Sequence, residues 1–132
     1  NAPMRPKRVS KAETPSPRPS RHAQWVPGYW VWTGSAWGWI AGWWRVPQRD
    51  IRLGLTVRAP HAPPALRLEA RPPRPLPGAH WSPGHWMWNG RRFLWVRGAW
   101  RVPPRATLRW VAPRWRRTPR GVRFLPGRWI RR

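Results

Sequence analysis

The sequence predicts an all-β protein, with tandem antiparallel β-hairpins that share a Trp-rich packing face and an extended Pro- and Arg-rich N-terminal arm. Twenty prolines and eleven glycines among 132 residues favour frequent turns over long helices. Fifteen tryptophans provide an aromatic core, since each indole can bury roughly 150–250 Å². A Trp-rich stretch also recurs, and its aromatics are placed in mirror order, as in a strand folded back on itself.

Residues 1–24 hold five prolines, several cations and few apolar side chains, which predicts an extended basic arm. The sequence starts at Asn1 rather than Met, so we expect a processed chain that has lost a signal peptide. The expected location is therefore the periplasm, the outer envelope or the extracellular space.

The internal repeat relates residues 25–47 to residues 81–103. Their sequences are WVPGYWVWTGSAWGWIAGWWRVP and WSPGHWMWNGRRFLWVRGAWRVP, which agree at twelve positions when shifted by 56. Such agreement at one offset predicts two copies of one structural unit. A degraded third copy with a basic C-terminus occupies 104–132, and we expect its hairpin over 110–130.

The mirror order of the aromatics predicts the strand register. In an antiparallel pair the residue numbers of opposite residues have a constant sum. In the first copy this sum is 69, for Trp25/Trp44, Trp30/Trp39 and Trp32/Trp37. In the second copy it is 181, for Trp81/Trp100, Trp86/Trp95 and Trp88/Phe93. Four-residue loops then fall at 33–36 and 89–92, where Gly34 and Gly90 suit a turn. A two-residue Asn-Gly turn would instead pair Trp88 with Arg91. We favour the first register because it pairs every aromatic.

The five-residue spacing of Trp81 and Trp86 would send them to opposite faces of a strictly alternating strand. A β-bulge at Pro83-Gly84 would restore the phase and bring all six aromatics to one face. A helix does not suit this spacing, because its period is 3.6 residues.

The segment 48–80 is predicted as an aliphatic hairpin or linker. Apolar residues alternate with polar or small ones at Ile51, Leu53, Leu55 and Val57, and again at Leu66, Leu68 and Ala70. The turn-like residues 60–64 between the two runs would join them as a fourth hairpin.

The element W-x-x-G-x-W occurs four times, and Phe124, Gly127 and Trp129 form a degraded fifth. The four are Trp25/Gly28/Trp30, Trp39/Gly42/Trp44, Trp81/Gly84/Trp86 and Trp95/Gly98/Trp100. The pattern resembles the bacterial WxxGxW (YxWGxW) repeat family of small exported proteins. The resemblance covers about 25–47 and 81–130 and implies an exported protein of bacterial origin. It implies no catalytic or ligand-binding residues.

Catalytic chemistry is poorly supplied. The only carboxylates are Glu13, Asp50 and Glu69, which are too scattered for an acid/base pair, and the chain has no cysteine. Four histidines suggest a metal site only weakly, because second-shell carboxylates are lacking: His22, His61, His80 and His85. We therefore predict no enzyme activity, no metal and no cofactor.

The charge predicts an anionic partner. Twenty-seven Lys and Arg face three acidic residues, which gives a net charge of +24. Such a chain cannot neutralise itself, so we expect a polyanion (nucleic acid, anionic glycan or lipopolysaccharide) or an acidic protein surface. No apolar run reaches the roughly 18 residues of a transmembrane segment. The arginines expected to contact the anion are Arg91, Arg92, Arg97, Arg114, Arg116, Arg117, Arg120, Arg123, Arg128, Arg131 and Arg132.

The aromatic residues have two possible uses, packing between hairpins or an open platform that stacks on bases or sugar rings. We favour packing, because an exposed face of this size would promote aggregation. The set is Trp25, Trp30, Trp32, Trp37, Trp39, Trp44, Trp81, Trp86, Trp88, Phe93, Trp95, Trp100, Trp110, Trp115, Phe124 and Trp129.

Three functions fit these patterns. The first is a non-enzymatic structural or accessory protein of an exported or envelope assembly, able to form a fibre through open strand edges, whose Arg-rich surface binds a polyanion or acidic partner. The second is a sequence-independent nucleic-acid-binding or packaging protein that uses Arg–phosphate contacts and Trp stacking. The third is a carbohydrate-binding module. Export favours the first and third, whereas Arg interleaved with Trp favours the second.

Overall fold

The computed structural model describes residues 13–132 and is all-β, as the sequence predicts. The first half of the predicted arm, residues 1–12, lies outside the described residues. Within 13–132 no helix is long and apolar enough to cross a membrane. Thirteen strands and one short helix follow in order: β1 Gln24–Val26, β2 Tyr29–Trp32, β3 Trp37–Ile40, β4 Trp43–Arg45, α1 Gln48–Arg52, β5 Arg58–Ala59, β6 His80–Ser82, β7 His85–Trp88, β8 Phe93–Val96, β9 Ala99–Arg101, β10 Leu108–Val111, β11 Arg114–Thr118, β12 Gly121–Leu125 and β13 Arg128–Arg131.

The three predicted hairpins are confirmed, and each consists of an outer and an inner pair of strands. Hairpin 1 pairs β1 with β4 and β2 with β3, and hairpin 2 pairs β6 with β9 and β7 with β8. Hairpin 3 pairs β10 with β13 and β11 with β12. All six mirror pairs of the first two copies are opposite each other, and hairpin 3 follows the same plan with Trp110 opposite Trp129.

The turns of hairpins 1 and 2 are the predicted four-residue loops. The backbone N–H of Thr33 donates to the carbonyl of Ala36 at 2.9 Å, and that of Asn89 donates to Arg92 at 3.2 Å. Gly90 has a φ of 98°, a conformation that L side chains rarely adopt. The alternative two-residue turn is excluded because Trp88 lies opposite Phe93 and not Arg91.

The predicted bulge at Pro83-Gly84 is wrong, because both strands of the hairpin are interrupted equally. Ser82 lies opposite Ala99 and His85 lies opposite Val96, so two residues on each strand separate the outer pair from the inner pair. A bulge would place two residues opposite one. The symmetric break keeps the mirror sum constant, and it restores the phase of the aromatics on both strands together.

The glycines of the W-x-x-G-x-W elements lie at this break, beneath an indole from the opposite strand. A Cβ on Gly84 would lie 2.4 Å from Cζ2 of Trp95, and a Cβ on Gly98 would lie 2.4 Å from Cζ2 of Trp81. Carbon atoms pack at about 3.5–4.0 Å, so only glycine admits the indole. Each element therefore supplies a Trp that covers its partner's glycine, which explains why the motif occurs in pairs.

Hairpin 3 keeps one of the two contacts between an indole and a glycine. The indole of Trp110 lies over Gly127, where a Cβ would be 2.1 Å from Cζ2. On the reciprocal side Pro113 stands in place of the glycine, and Phe124 stands in place of the Trp that would cover it. The two changes go together, since the smaller ring does not require a glycine beneath it.

The predicted fourth hairpin is wrong, because residues 51–71 fold differently. The segment begins with α1 and continues into β5, which pairs with β12 of hairpin 3. Residues 60–74 then run without a strand, since prolines remove the backbone donors that pairing would need. Leu66 and Leu68 of the predicted alternation are 70% and 102% exposed.

Successive hairpins pack the aromatic face of the later one against the opposite, non-aromatic face of the earlier one. Ile40 on the non-aromatic face of hairpin 1 forms a buried cluster with Ala79 and Trp100 at hairpin 2. His85 on the non-aromatic face of hairpin 2 stacks on Phe124 of hairpin 3, with ring centroids 5.6 Å apart. Within residues 13–132, no hairpin packs in this way against the non-aromatic face of hairpin 3.

Candidate anion-binding surface

Two extended segments lie against the aromatic faces of hairpins 1 and 2, and we call them strap 1 (residues 13–18) and strap 2 (residues 67–74). Glu13 of strap 1 accepts hydrogen bonds from the backbone N–H groups of Gly28 at 3.1 Å and Gly42 at 2.9 Å. Glu69 of strap 2 accepts one from Gly98 at 3.0 Å. At the break that admits the indoles, glycine N–H groups have no backbone partner across the hairpin, and they donate to a strap carboxylate instead.

The straps also satisfy the indole N–H group of one Trp in each outer pair. Nε1 of Trp44 donates to the carbonyl of Ser16 and Nε1 of Trp100 donates to that of Pro72, both at 2.9 Å. A single sequence signal could have revealed both straps. The offset of 56 continues upstream of the hairpins and relates Glu13 to Glu69, Pro17 to Pro73, Arg18 to Arg74, Pro19 to Pro75 and Ala23 to Ala79.

Strap arginines, which the sequence reasoning missed, stack on the indoles. The guanidinium carbon of Arg18 lies 4.8 Å from the ring centroid of Trp44, and that of Arg74 lies 5.3 Å from Trp100. Arg67 lies 4.9 Å from Trp86 in the same way. Such contacts stabilise by about 0.5–1 kcal/mol at exposed sites. These cations therefore belong to the scaffold.

The third carboxylate serves the fold as well. Asp50 of α1 is fully buried and accepts hydrogen bonds from Oγ of Ser20 at 2.7 Å, from the His22 backbone N–H at 3.1 Å and from its Nδ1 at 3.0 Å. The bond from Ser20 is the largest cause that lowers the Asp50 pKa. Within residues 13–132 no arginine lies within 4.0 Å of a carboxylate oxygen. All three acidic residues thus hold backbone or side-chain donors and leave the arginines unpaired.

The aromatic set lies where packing requires it. All fifteen indoles are buried or half-buried, and they form edge-to-face pairs such as Trp86 with Trp95, 5.1 Å apart. Trp43 was missed because it has no aromatic mirror partner. It lies on the non-aromatic face of hairpin 1, and its ring centroid is 6.0 Å from that of Trp110 of hairpin 3.

Ten of the eleven arginines expected to contact an anion are exposed: Arg91, Arg92, Arg97, Arg114, Arg116, Arg117, Arg120, Arg128, Arg131 and Arg132. Arg123 is not available, since it is 8% exposed and donates to the carbonyls of Gly54 and Thr56. The segment between α1 and β5 covers this one side chain. No local pattern indicates that cover, because the alternation in 51–71 predicts a hairpin that folds back on itself.

The non-aromatic face of hairpin 3, which we call the outer face, concentrates these cations. Arg114, Arg116 and Arg128 lie there, and Arg109 extends the row along β10. Neighbouring side chains on one face of a strand are about 7 Å apart. In hairpins 1 and 2 the equivalent positions hold uncharged groups: Tyr29 and His85, Val31 and Met87, Trp43 and Ala99. Arginine therefore appears on the face that no described hairpin covers.

The histidines are spread over different neighbours. His61 packs on Phe93 and His80 packs on Trp129, at 5.6 and 5.7 Å between centroids, whereas His22 bonds Asp50. Burial is the main cause that lowers the pKa of His85 to about 4. No group of three His, Cys, Asp or Glu side chains within 13–132 is arranged to hold a metal ion.

Comparison with known proteins adds no relative. No protein-family model matches the chain, and neither a curated protein sequence nor a solved structure is significantly similar to it. The resemblance to the WxxGxW repeat family therefore stays a prediction that rests on the quoted motifs.

Proposed function

We propose that this protein is a non-enzymatic structural or accessory protein of an exported or envelope assembly, whose Trp hairpins form a scaffold and whose Arg-rich surface binds a polyanion or an acidic partner. The observation that carries the proposal is the outer face of hairpin 3. Three positions that are uncharged in hairpins 1 and 2 are all arginine there: Arg114, Arg116 and Arg128. The exported location is part of the proposal and rests on the motif resemblance.

The charge balance supports an external anion. The chain has 27 cations and three carboxylates, and each carboxylate is occupied by hydrogen bonds within the fold: Glu13, Asp50 and Glu69. Mutual repulsion of the arginines is therefore not relieved by described ion pairs. A polyanion relieves it, and the planar guanidinium suits phosphate, sulfate and carboxylate groups.

The same features rank the other functions. Stacking on bases or sugar rings needs open indole faces, whereas all fifteen indoles are buried or half-buried. Repeated self-stacking would need a neutral face at the end of the chain's hairpin series, whereas the outer face is cationic. A row of cations on this face repels an identical copy and attracts an anion, so we place anion binding ahead of self-assembly. A homopolymer would need the polyanion between its copies.

The test compares two triple variants of equal charge. Arg114→Gln, Arg116→Gln and Arg128→Gln remove three charges from the outer face. Arg91→Gln, Arg92→Gln and Arg97→Gln remove three exposed charges from hairpin 2. Both variants have a net charge of 24 − 3 = +21, so a difference between them reports position rather than total charge.

Binding of linear polyphosphate is measured at several NaCl concentrations. We expect the outer-face variant to reduce the slope of log K against log salt by about 2, since each lost contact changes it by about 0.7 on a single strand. The hairpin 2 variant should change the slope by less than half of that. Equal slopes in the two variants would contradict an outer-face site. Markedly tighter binding of single-stranded DNA of equal charge would favour the nucleic-acid alternative.

A further inference from the structure

Arg101 differs from the arginines of the straps and the outer face, because its guanidinium lies inside the molecule where the three hairpins meet. It ends β9 of hairpin 2, its Nη1 donates to the carbonyls of Ala41 and Gly42 of hairpin 1 at 3.2 Å, and its guanidinium carbon is 5.5 Å from the ring centroid of Trp110 of hairpin 3. Burial is the main cause that lowers the Arg101 pKa, to about 10. The side chain therefore remains a cation at neutral pH.

Five side-chain nitrogens within residues 13–132 are shielded from solvent and have no hydrogen-bond partner among the described residues. Two of them are the indole nitrogens of Trp30 and Trp95. The other three are Nε of Arg101, Nε1 of Trp110, whose ring lies beside the guanidinium, and Nδ1 of His85, on which the charge of Arg101 acts. An indole N–H and the guanidinium Nε–H are donors only, and a neutral imidazole can donate through Nδ1. A buried donor that stays unbonded loses its hydration without compensation, which destabilises the fold. All three residues line one cavity of about 1290 Å³.

The chain offers no carboxylate to pair with Arg101. Glu13 is the nearest influence, since its charge offsets part of the shift in the Arg101 pKa, but both of its oxygens accept backbone N–H groups of Gly28 and Gly42. Asp50 is held by Ser20, and Glu69 by Gly98. A negative group at the three donors must therefore come from another molecule.

We propose that the junction of the three hairpins binds an oxyanion, a sulfate, phosphate or carboxylate group, through Nε of Arg101, Nε1 of Trp110 and Nδ1 of His85. The site is separate from the outer face and does not depend on the function proposed for it. Charge-assisted bonds to an oxyanion would satisfy donors that the protein leaves unbonded. The bound group would also tie hairpins 2 and 3 together, because each contributes a donor.

The chain contains a matched control for Arg101. Arg45 occupies the same place in the repeated sequence Trp-Arg-Val-Pro of hairpin 1, yet it is exposed and donates to Oε1 of Gln24 at 3.1 Å. Arg101→Met and Arg45→Met therefore remove the same charge from equivalent motif positions, one inside and one outside.

The probe is sodium sulfate, exchanged for NaCl at constant ionic strength, and the readout is the indole N–H region of ¹⁵N-labelled protein, where Trp110→Phe assigns the Trp110 signal. We expect a saturable downfield shift of this signal in the wild type and in Arg45→Met, and at least about tenfold weaker binding in Arg101→Met. The indole N–H of Trp100, already bonded to Pro72, should shift far less.

Arg101→Lys provides a second variant in case the methionine variant does not fold. It keeps the charge and removes the Nε donor, so we expect several-fold weaker sulfate binding. A Trp110 shift that does not saturate, or one that is equal in Arg101→Lys and the wild type, would show water rather than an oxyanion at the donors and would overturn the proposal.

Discussion

Replacing one glycine of the W-x-x-G-x-W motif tests the cross-strand packing that defines the hairpins. In Gly98→Ala the added Cβ would lie 2.4 Å from Cζ2 and 2.9 Å from Cη2 of Trp81, and 3.0 Å from the carbonyl oxygen of Ser82. Because carbon atoms pack at about 3.5–4.0 Å, the indole must move by more than about 1 Å or the two strands must separate.

The expected cost has two parts. Overpacking of a close-packed site typically costs about 1–3 kcal/mol. Displacing Trp81 also weakens its edge-to-face contact with Trp100, whose ring centroid is 5.3 Å away, and such contacts contribute about 0.5–1.5 kcal/mol. We therefore expect Gly98→Ala to lower the free energy of unfolding by about 2–4 kcal/mol. Gly38→Ala is the control, because its Cβ would meet side-chain carbons of Pro75 and Thr33 at 3.3 Å, which a shift of a few tenths of an ångström relieves. We expect it to cost less than about 1 kcal/mol.

Urea unfolding followed by circular dichroism measures both variants, and a double-mutant cycle identifies the cause. In a Trp81→Ala background the clash with the indole is absent and only the approach to the Ser82 carbonyl oxygen remains, so Gly98→Ala should cost less than about 1 kcal/mol. An equal cost of the glycine substitution in both backgrounds, or a cost no larger than that of Gly38→Ala, would refute the contact between indole and glycine as the constraint.

Three further changes test the carboxylates and the buried histidine by the same unfolding assay. Glu69→Gln should cost about 1–2 kcal/mol at pH 7, because the Gly98 N–H loses a charged acceptor; no loss would mean that the strap does not hold the break. Burial lowers the His85 pKa to about 4, so the unfolded chain binds more protons and stability should fall by up to about 3 kcal/mol between pH 6.5 and 4. His85→Phe, which can keep the ring stack, should flatten that decline, and an unchanged slope would contradict it. The lowered Asp50 pKa contributes stability that is present above its unfolded value of about 3.9 and lost as pH falls through the folded value, so Asp50→Asn should weaken the pH dependence below about 4.

The strand register could be predicted from the sequence because mirrored aromatics allow only one sum that pairs them all. The break between the outer and inner strand pairs could not be predicted, because strict alternation describes one strand at a time. Both strands carry the five-residue spacing, and the constraint is the contact of each indole with a glycine across the hairpin, as for Trp81 and Gly98.

In strap 2 the alternating pattern is present, but the side chains that face the hairpin are the polar ones and not the leucines. The residues from 66 to 70 do alternate, but Arg67 and Glu69 face the hairpin while Leu66 and Leu68 face solvent. An aromatic face with unbonded backbone N–H groups at its break attracts a guanidinium and a carboxylate rather than leucine. Hydrophobicity alone does not encode this preference.

Arginine burial could not be predicted from the sequence. Arg45 and Arg101 share the context Trp-Arg-Val-Pro, and only the packing of hairpin 3 over hairpin 2 places Trp110 against the second. Arg123 is covered in the same way by the segment between α1 and β5. Such differences depend on tertiary neighbours that no local pattern specifies.

The salt dependence of stability tests most directly whether the guanidinium groups lack carboxylate partners within the fold. The free energy of unfolding is measured without any polyanion from 10 to 500 mM NaCl, over which the Debye length falls from about 30 Å to below 8 Å. Stability should rise steadily with salt, because screening weakens repulsion among cations and has few attractive pairs to weaken. A steady decrease would mean that attraction between opposite charges holds the fold together, which contradicts a surface of unpaired guanidinium groups.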